Sequence, residues 1–158
     1  MKPTIGDIIE IKTRKGFAYA VFTHYKPKYG AVIRVFDRIF PSRPSDIQGI
    51  AHSPVQFITL FPLSAAVSQG IFEIIGNIEL PDSLASFPIF RTGIRNPSTG
   101  HVESWSLWDG DRSIKVGKLK TDQYRLPLRG IWNDTILIER IDAGWRPETD
   151  AVDGIQSE

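Results

Sequence analysis

The sequence predicts an α+β chain made mainly of antiparallel β-structure, on three observations. Three β-branched and aromatic runs follow one another near the N-terminus, with a glycine closing each of the two turns between them. A second pair of alternating runs flanks Asp109-Gly110. Helix signals are confined to two short stretches, after Pro62 and after Asn133.

The first run, "DIIEIKT", is short and β-branched, and "RKG" follows it as a turn. "FAYAVFTHY" then alternates Phe17, Tyr19, Val21, Thr23 and Tyr25 against Ala18, Ala20, Phe22 and His24. After the turn "KPKYG", "AVIRVF" makes the third strand of a meander. The two small alanines on one face imply close packing there. Meanders of this kind open small, strongly bent barrels. Residues 37–54 hold Pro41, Pro44 and Pro54 without a clean period and read as a loop. "VQFITLF" reads as a strand, and "PLSAAVSQG" as a short helix with Ser64 as N-cap and Gly70 as stop.

"IFEIIGNIELP" alternates Phe72, Ile74, Gly76, Ile78 and Leu80 against Glu73, Ile75, Asn77 and Glu79, a half-buried strand ended by Pro81. "FPIF" reads as a short edge strand before the turn-rich "RTGIRNPSTG". "DTILIERIDAGW" carries two signals. Its β-branched residues suit a strand, while Ile136, Leu137, Arg140 and Ile141 fall at helical spacing, with Asn133 or Asp134 as cap and Gly144 as stop. The helix is the reading adopted, with the strand left open over 134–143. "RPETDAVDGIQSE" is polar and acidic. The organisation expected is one domain over 1–147 and a disordered tail over 148–158.

With 158 residues the chain can bury a sizeable core without a metal or disulfide staple. It has no cysteine, which excludes thiolate nucleophiles and Cys-based zinc sites. The start, "MKPTIGDIIEIKTRKG", lacks the apolar stretch of a signal peptide. The apolar runs within 55–75 are too short to span a bilayer. A cytoplasmic protein is expected. The net charge of +1 conceals an asymmetry, since residues 1–43 carry nine Lys and Arg against Asp7, Glu10 and Asp37. The tail has Glu148, Asp150, Asp153 and Glu158 with no base. A basic third suits an acidic protein partner or nucleic acid, or is simply a solvated lysine-rich hairpin.

The stretch "ESWSLWDGDRSIKVGKL" holds the only Asp-Gly-Asp in the chain. A four-residue loop over 109–112 pairs Leu107 with Ile114, Trp105 with Val116 and Glu103 with Lys118, setting apolar against apolar and acid against base. A two-residue Asp-Gly turn would oppose Glu103 to Val116 and Leu107 to Arg112. The acids therefore read as turn chemistry rather than as a catalytic carboxylate pair, which must face one substrate bond. Trp108 falls opposite Trp105 beside serines, a place for either an exposed binding anchor or a ring packed under the tail or helix.

His24, His52 and His101 are scattered, and no phosphate loop, His-Glu-x-x-His or Gly-x-Ser-x-Gly is present. Trp132 and Trp145 read as core or helix-end packing, and Arg140 as a buried ion-pair partner or a solvated helix face.

Taken in order, "GDIIEI", "GFAYAVF", "FEIIGNIELP…FPIFR", "WSLWDGDRSIKVGKL" and "IWNDTILIERIDAGW" resemble the immunity protein 26 family of bacterial polymorphic-toxin systems, from about Gly6 to Trp145. The resemblance implies a small cytoplasmic α+β protein that binds and neutralises a cognate toxin, without catalysis and without a cofactor. Without the tail the chain has nineteen bases against fourteen acids, which speaks against mimicry of DNA and for steric occlusion of the toxin. Trp108, Arg112 and Tyr29, at the expected hairpin tips, are the candidate partner-binding anchors. The competing expectation is a nucleic-acid-binding module using Lys12, Arg14, Lys15, Lys26 and Lys28 with Tyr19, Tyr25 and Tyr29 as stacking surfaces. A hydrolase with a dispersed site would need a hollow lined by a histidine and a carboxylate.

Overall fold

The structure is a computed structural model describing residues 2–156. Its contacts divide the chain into two compact units, Met1–Ser86 with Gly130–Gly144, and Phe87–Arg129 with Trp145–Glu158. Mostly antiparallel α+β structure is what the sequence predicts and what the chain adopts. The division into two units, with the acidic end inside the second, differs from a single domain over 1–147.

In the first unit β1 (Asp7–Thr13), β2 (Gly16–Lys26) and β3 (Gly30–Phe40) form the expected meander. A short helix α1 (Ile47–Ile50) follows, capped by the Asp46 side chain, which accepts from the Gly49 N–H at 3.0 Å. β3 thus takes the first residues of the loop expected over 37–54, and α1 interrupts the rest. Next come β4 (Val55–Phe61), α2 (Leu63–Ser68), β5 (Glu73–Asn77) and α3 (Asp82–Ala85).

The sheet order is β4-β3-β2-β1-β5, and among the described residues strand pairing does not close it into a barrel. Register shifts interrupt the β1–β5, β2–β3 and β3–β4 ladders, the irregularities that bend and coil a sheet. β2 is buried on both faces from Ala18 to Phe22. Its alternation therefore sorts small from large side chains rather than inside from outside. Ala18 and Ala20 pair with Ile11 and Ile9 of β1, the strand against which α4 (Asp134–Asp142) packs through buried Leu137 and Ile141. Tyr19 and Val21 join Ile8, Phe36, Ile50, Ile78 and Leu84 in a core cluster.

Helix wins over strand at 134–142 because the Asn133 side chain accepts from the Ile136 N–H at 2.8 Å, and Gly144 follows the last turn. The Arg140 guanidinium lies 4.1 Å from the centroid of the Trp132 ring. Ser64 is not the cap of α2. The chain enters that helix directly from β4 through Pro62, with Leu63 already buried. β5 stops at Asn77, where the Ile78 N–H turns to the Gly6 carbonyl at 2.9 Å.

The second unit holds a three-stranded sheet in the order β6 (Phe90–Arg95), β7 (Val102–Trp108), β8 (Ser113–Gly117). "RTGIR", read from sequence as turns, is strand. Its Gly93 is required because a Cβ there would meet the Val102 side chain at 2.2 Å. Leu107 faces Ile114 as the four-residue loop demands. A bulge at Trp105/Ser106 then sets Trp105 opposite Gly117 rather than Val116. Residues 127–129 run parallel to β6, with the Arg91 N–H donating to the Pro127 carbonyl at 2.8 Å.

Arg91 organises this unit. Fully buried, it donates to the carbonyls of Leu126 (3.2 Å), Tyr124 (3.2 Å), Pro147 (3.0 Å) and Asp153 (2.6 Å). Its guanidinium also stacks on Trp105 and Tyr124. Arg95 pairs with the buried Asp153 carboxylate, and the Trp145 indole N–H donates to Asp150 at 2.9 Å. These bonds fold residues 148–156, where the sequence suggested disorder.

Candidate partner-binding groove

Of the three anchors chosen from sequence, Trp108 is only 4% exposed. Its cross-strand partner Phe90 lies 5.5 Å away between ring centroids, Phe87 meets it edge-on at 5.7 Å, and the Arg129 guanidinium covers it at 5.3 Å. Neighbouring serines suggested an open face, but the aromatic pair Phe87 and Phe90 fills it. Trp108 is a core residue of the second unit. Arg112 is exposed on the same hairpin. Asp109 is engaged in the turn, accepting from the Asp111 and Arg112 N–H groups at 2.9 and 2.8 Å, which hold its carboxyl below the ordinary range. Gly110, at φ 101°, lies so close to Phe87 that a Cβ would approach the ring to 2.9 Å. Tyr29 belongs to the other unit, in the β2–β3 turn, where its N–H donates to the Lys26 carbonyl at 3.0 Å.

Beside that turn the first unit opens a groove of about 700 Å³. Its floor is Phe22, Ala31, Phe61 and Leu63, all buried. Its walls are Ile5, 46% exposed, Tyr25, 63% exposed, and the outer face of α2 at Ser64 and Ala65. Strict alternation would put Phe22 and Tyr25 on opposite faces. The extra residue that β2 carries between Phe22 and His24 reverses the alternation and brings both to the groove. The strap over 2–5 is fastened by Asp7, whose carboxylate accepts from the Thr4 N–H at 2.8 Å, the Thr4 hydroxyl at 3.2 Å and the Asn77 amide at 2.9 Å. Lys2 is the one charged residue in the lining among the described residues. Lys26, next to Tyr25 and paired with Gly30, and Lys28 continue the basic character around the turn. A concave apolar surface with few polar groups is the usual form of a binding site. Of its residues the sequence offers only Tyr25, as a stacking surface for nucleic acid, while the floor residues read as ordinary core.

Other polar clusters in the first unit serve the fold. Glu10, buried, accepts from the Tyr19 hydroxyl at 2.8 Å and from Arg43 through Nε at 2.7 Å and Nη2 at 3.0 Å. The Arg43 guanidinium keeps the Glu10 carboxyl below its ordinary 4.5, against the opposing effect of burial. The Tyr19 hydroxyl is pushed up by burial and by the Glu10 carboxylate. Since folding lowers the Glu10 pKa, the stability this group contributes is complete above pH 4.5 and is lost as pH falls through the depressed value. Glu10→Gln should cost about 1–3 kcal/mol near neutral pH and flatten the acid limb of a stability–pH profile measured by urea unfolding.

His24 donates from Nε2 to the Ala85 carbonyl at 2.9 Å while Nδ1 lies 2.9 Å from the Thr23 hydroxyl, and burial lowers its pKa. Two hollows of about 390 Å³ are each lined by a histidine and at least one carboxylate. One has His101 with Asp153, the other His52 with Glu79 and Asp82. In the first, the Asp153 carboxylate is occupied by Arg95. Among the described residues no group of three or more His, Asp or Glu is placed to hold a metal, and no helix is long and apolar enough to cross a membrane. Against known protein families, curated proteins and solved structures the chain has no significant match.

Proposed function

We propose that this chain is a non-enzymatic immunity protein that binds a cognate bacterial toxin and neutralises it by occlusion, with the groove of the first unit as its docking surface. The groove carries this reading: a large apolar concavity flanked by an exposed tyrosine and isoleucine is the kind of surface that marks an interaction site. The ordered resemblance to immunity protein 26 supports the same class.

The nucleic-acid alternative draws less support. Lys12, Arg14 and Lys15 cluster at one end of β2 and Lys26 and Lys28 at the other. At about 3.3 Å per residue, the eleven residues of β2 hold the two groups roughly 33 Å apart. Tyr19, offered as a stacking surface, is fully buried with its hydroxyl on Glu10. Co-expression with the product of the adjacent upstream gene, scored by growth and by a complex on size exclusion, tests the proposal. Growth rescue with a stable complex is the expected outcome. A harmless neighbour with no complex, together with salt-dependent binding to an oligonucleotide, would transfer the reading to nucleic acid.

A further inference from the structure

We infer that the groove is shaped for a partner segment that is apolar at its centre and acidic at its flanks. This rests on the docking proposal above and adds the chemistry of the occupant. The floor offers only Phe22, Ala31, Phe61 and Leu63 to whatever enters, so the centre of the occupant must be apolar to compensate for desolvation. Size agrees, since about 700 Å³ takes a few side chains of one segment rather than a flat surface.

Charge selects the flanks. Lys2 lines one part of the groove, and Lys26 and Lys28 belong to the turn that borders Tyr25 and Gly30. Among the described residues no carboxylate lines it. The nearest acid along the strap, Asp7, is engaged by hydrogen bonds from Thr4 and Asn77. Carboxylates at the ends of an entering segment meet lysines of opposite sign, which steers encounter and fixes register, whereas a basic flank meets like charge. An acidic-flanked segment also explains how a chain that is net basic outside its last eleven residues can recognise its partner without mimicking nucleic acid.

The test is selection of displayed random peptides on three forms of the full chain: wild type, Ala65→Trp, and Lys2→Glu with Lys28→Glu. Ala65 is exposed on α2 and lines the groove, so the indole fills the space without entering the core. The expected result is enrichment on wild type of peptides with an apolar centre and Asp or Glu flanks. Their binding should be lost on Ala65→Trp and weakened about tenfold by the double charge reversal. Groove-dependent peptides with neutral or basic flanks would overturn the inference while leaving the docking proposal standing. Failure to enrich any peptide that Ala65→Trp displaces would overturn both.

Discussion

Arg91→Ala is expected to destabilise the second unit by about 3–5 kcal/mol, the range found when a buried charge network loses one partner. Four main-chain carbonyls, from Tyr124, Leu126, Pro147 and Asp153, share the donors of this one guanidinium. Each charge-assisted bond contributes about 1.5–3 kcal/mol, and of the four acceptors the Pro147 carbonyl also accepts from the Asp150 N–H at 3.4 Å. The sum is not additive, because the segments relax together once the hub is gone. Arg91→Lys should recover little. An ammonium offers fewer donors without the planar fork that reaches carbonyls from several directions, and it lacks the flat face that stacks on Trp105 and Tyr124. Urea unfolding followed by tryptophan fluorescence measures the loss. A change below about 1 kcal/mol, the size of an ordinary surface substitution, would contradict the role assigned to Arg91.

Trp108→Ala is the second large effect, at about 3–5 kcal/mol for removal of a buried aromatic. Phe87 and Phe90 would lose their shared ring contact, and the Arg129 guanidinium its stacking surface. An exposed anchor behaves oppositely, weakening partner binding while leaving the melting temperature unchanged. Thermal unfolding of Trp108→Ala beside Trp108→Phe separates the two. A core residue gives a large loss that the smaller ring partly restores, and an unchanged melting temperature for the alanine variant would return Trp108 to the surface.

The elements legible in the sequence are those governed by local chemistry. The meander follows from strand runs punctuated by Gly16 and Gly30, the helix at 134–142 from the Asn133 cap and Gly144, and the Leu107–Ile114 pairing from hydrophobic matching around a four-residue loop. What escaped depends on distant partners. β6 runs through Thr92-Gly93, a pair that resembles turn punctuation until the Val102 side chain explains why no Cβ fits. The acidic end looked unstructured because its contribution is made by backbone carbonyls facing a buried arginine, and composition does not report carbonyls. The groove depends on one extra residue in β2, which moves Tyr25 to the face of Phe22. Alternation read along the sequence places them apart.

The groove, and not the β7–β8 hairpin, is expected to meet the partner. Growth rescue in cells expressing the product of the adjacent upstream gene, compared among wild type, Ala65→Trp and Arg112→Ala at equal folded amounts, addresses it directly. Both changes are at exposed positions, where stability shifts stay within about 0.5 kcal/mol. The expected result is rescue by wild type and Arg112→Ala, with loss of rescue and at least about tenfold weaker binding, or 1.4 kcal/mol, for Ala65→Trp. Full rescue by Ala65→Trp alongside failure of Arg112→Ala would place the interface on the hairpin and contradict the groove.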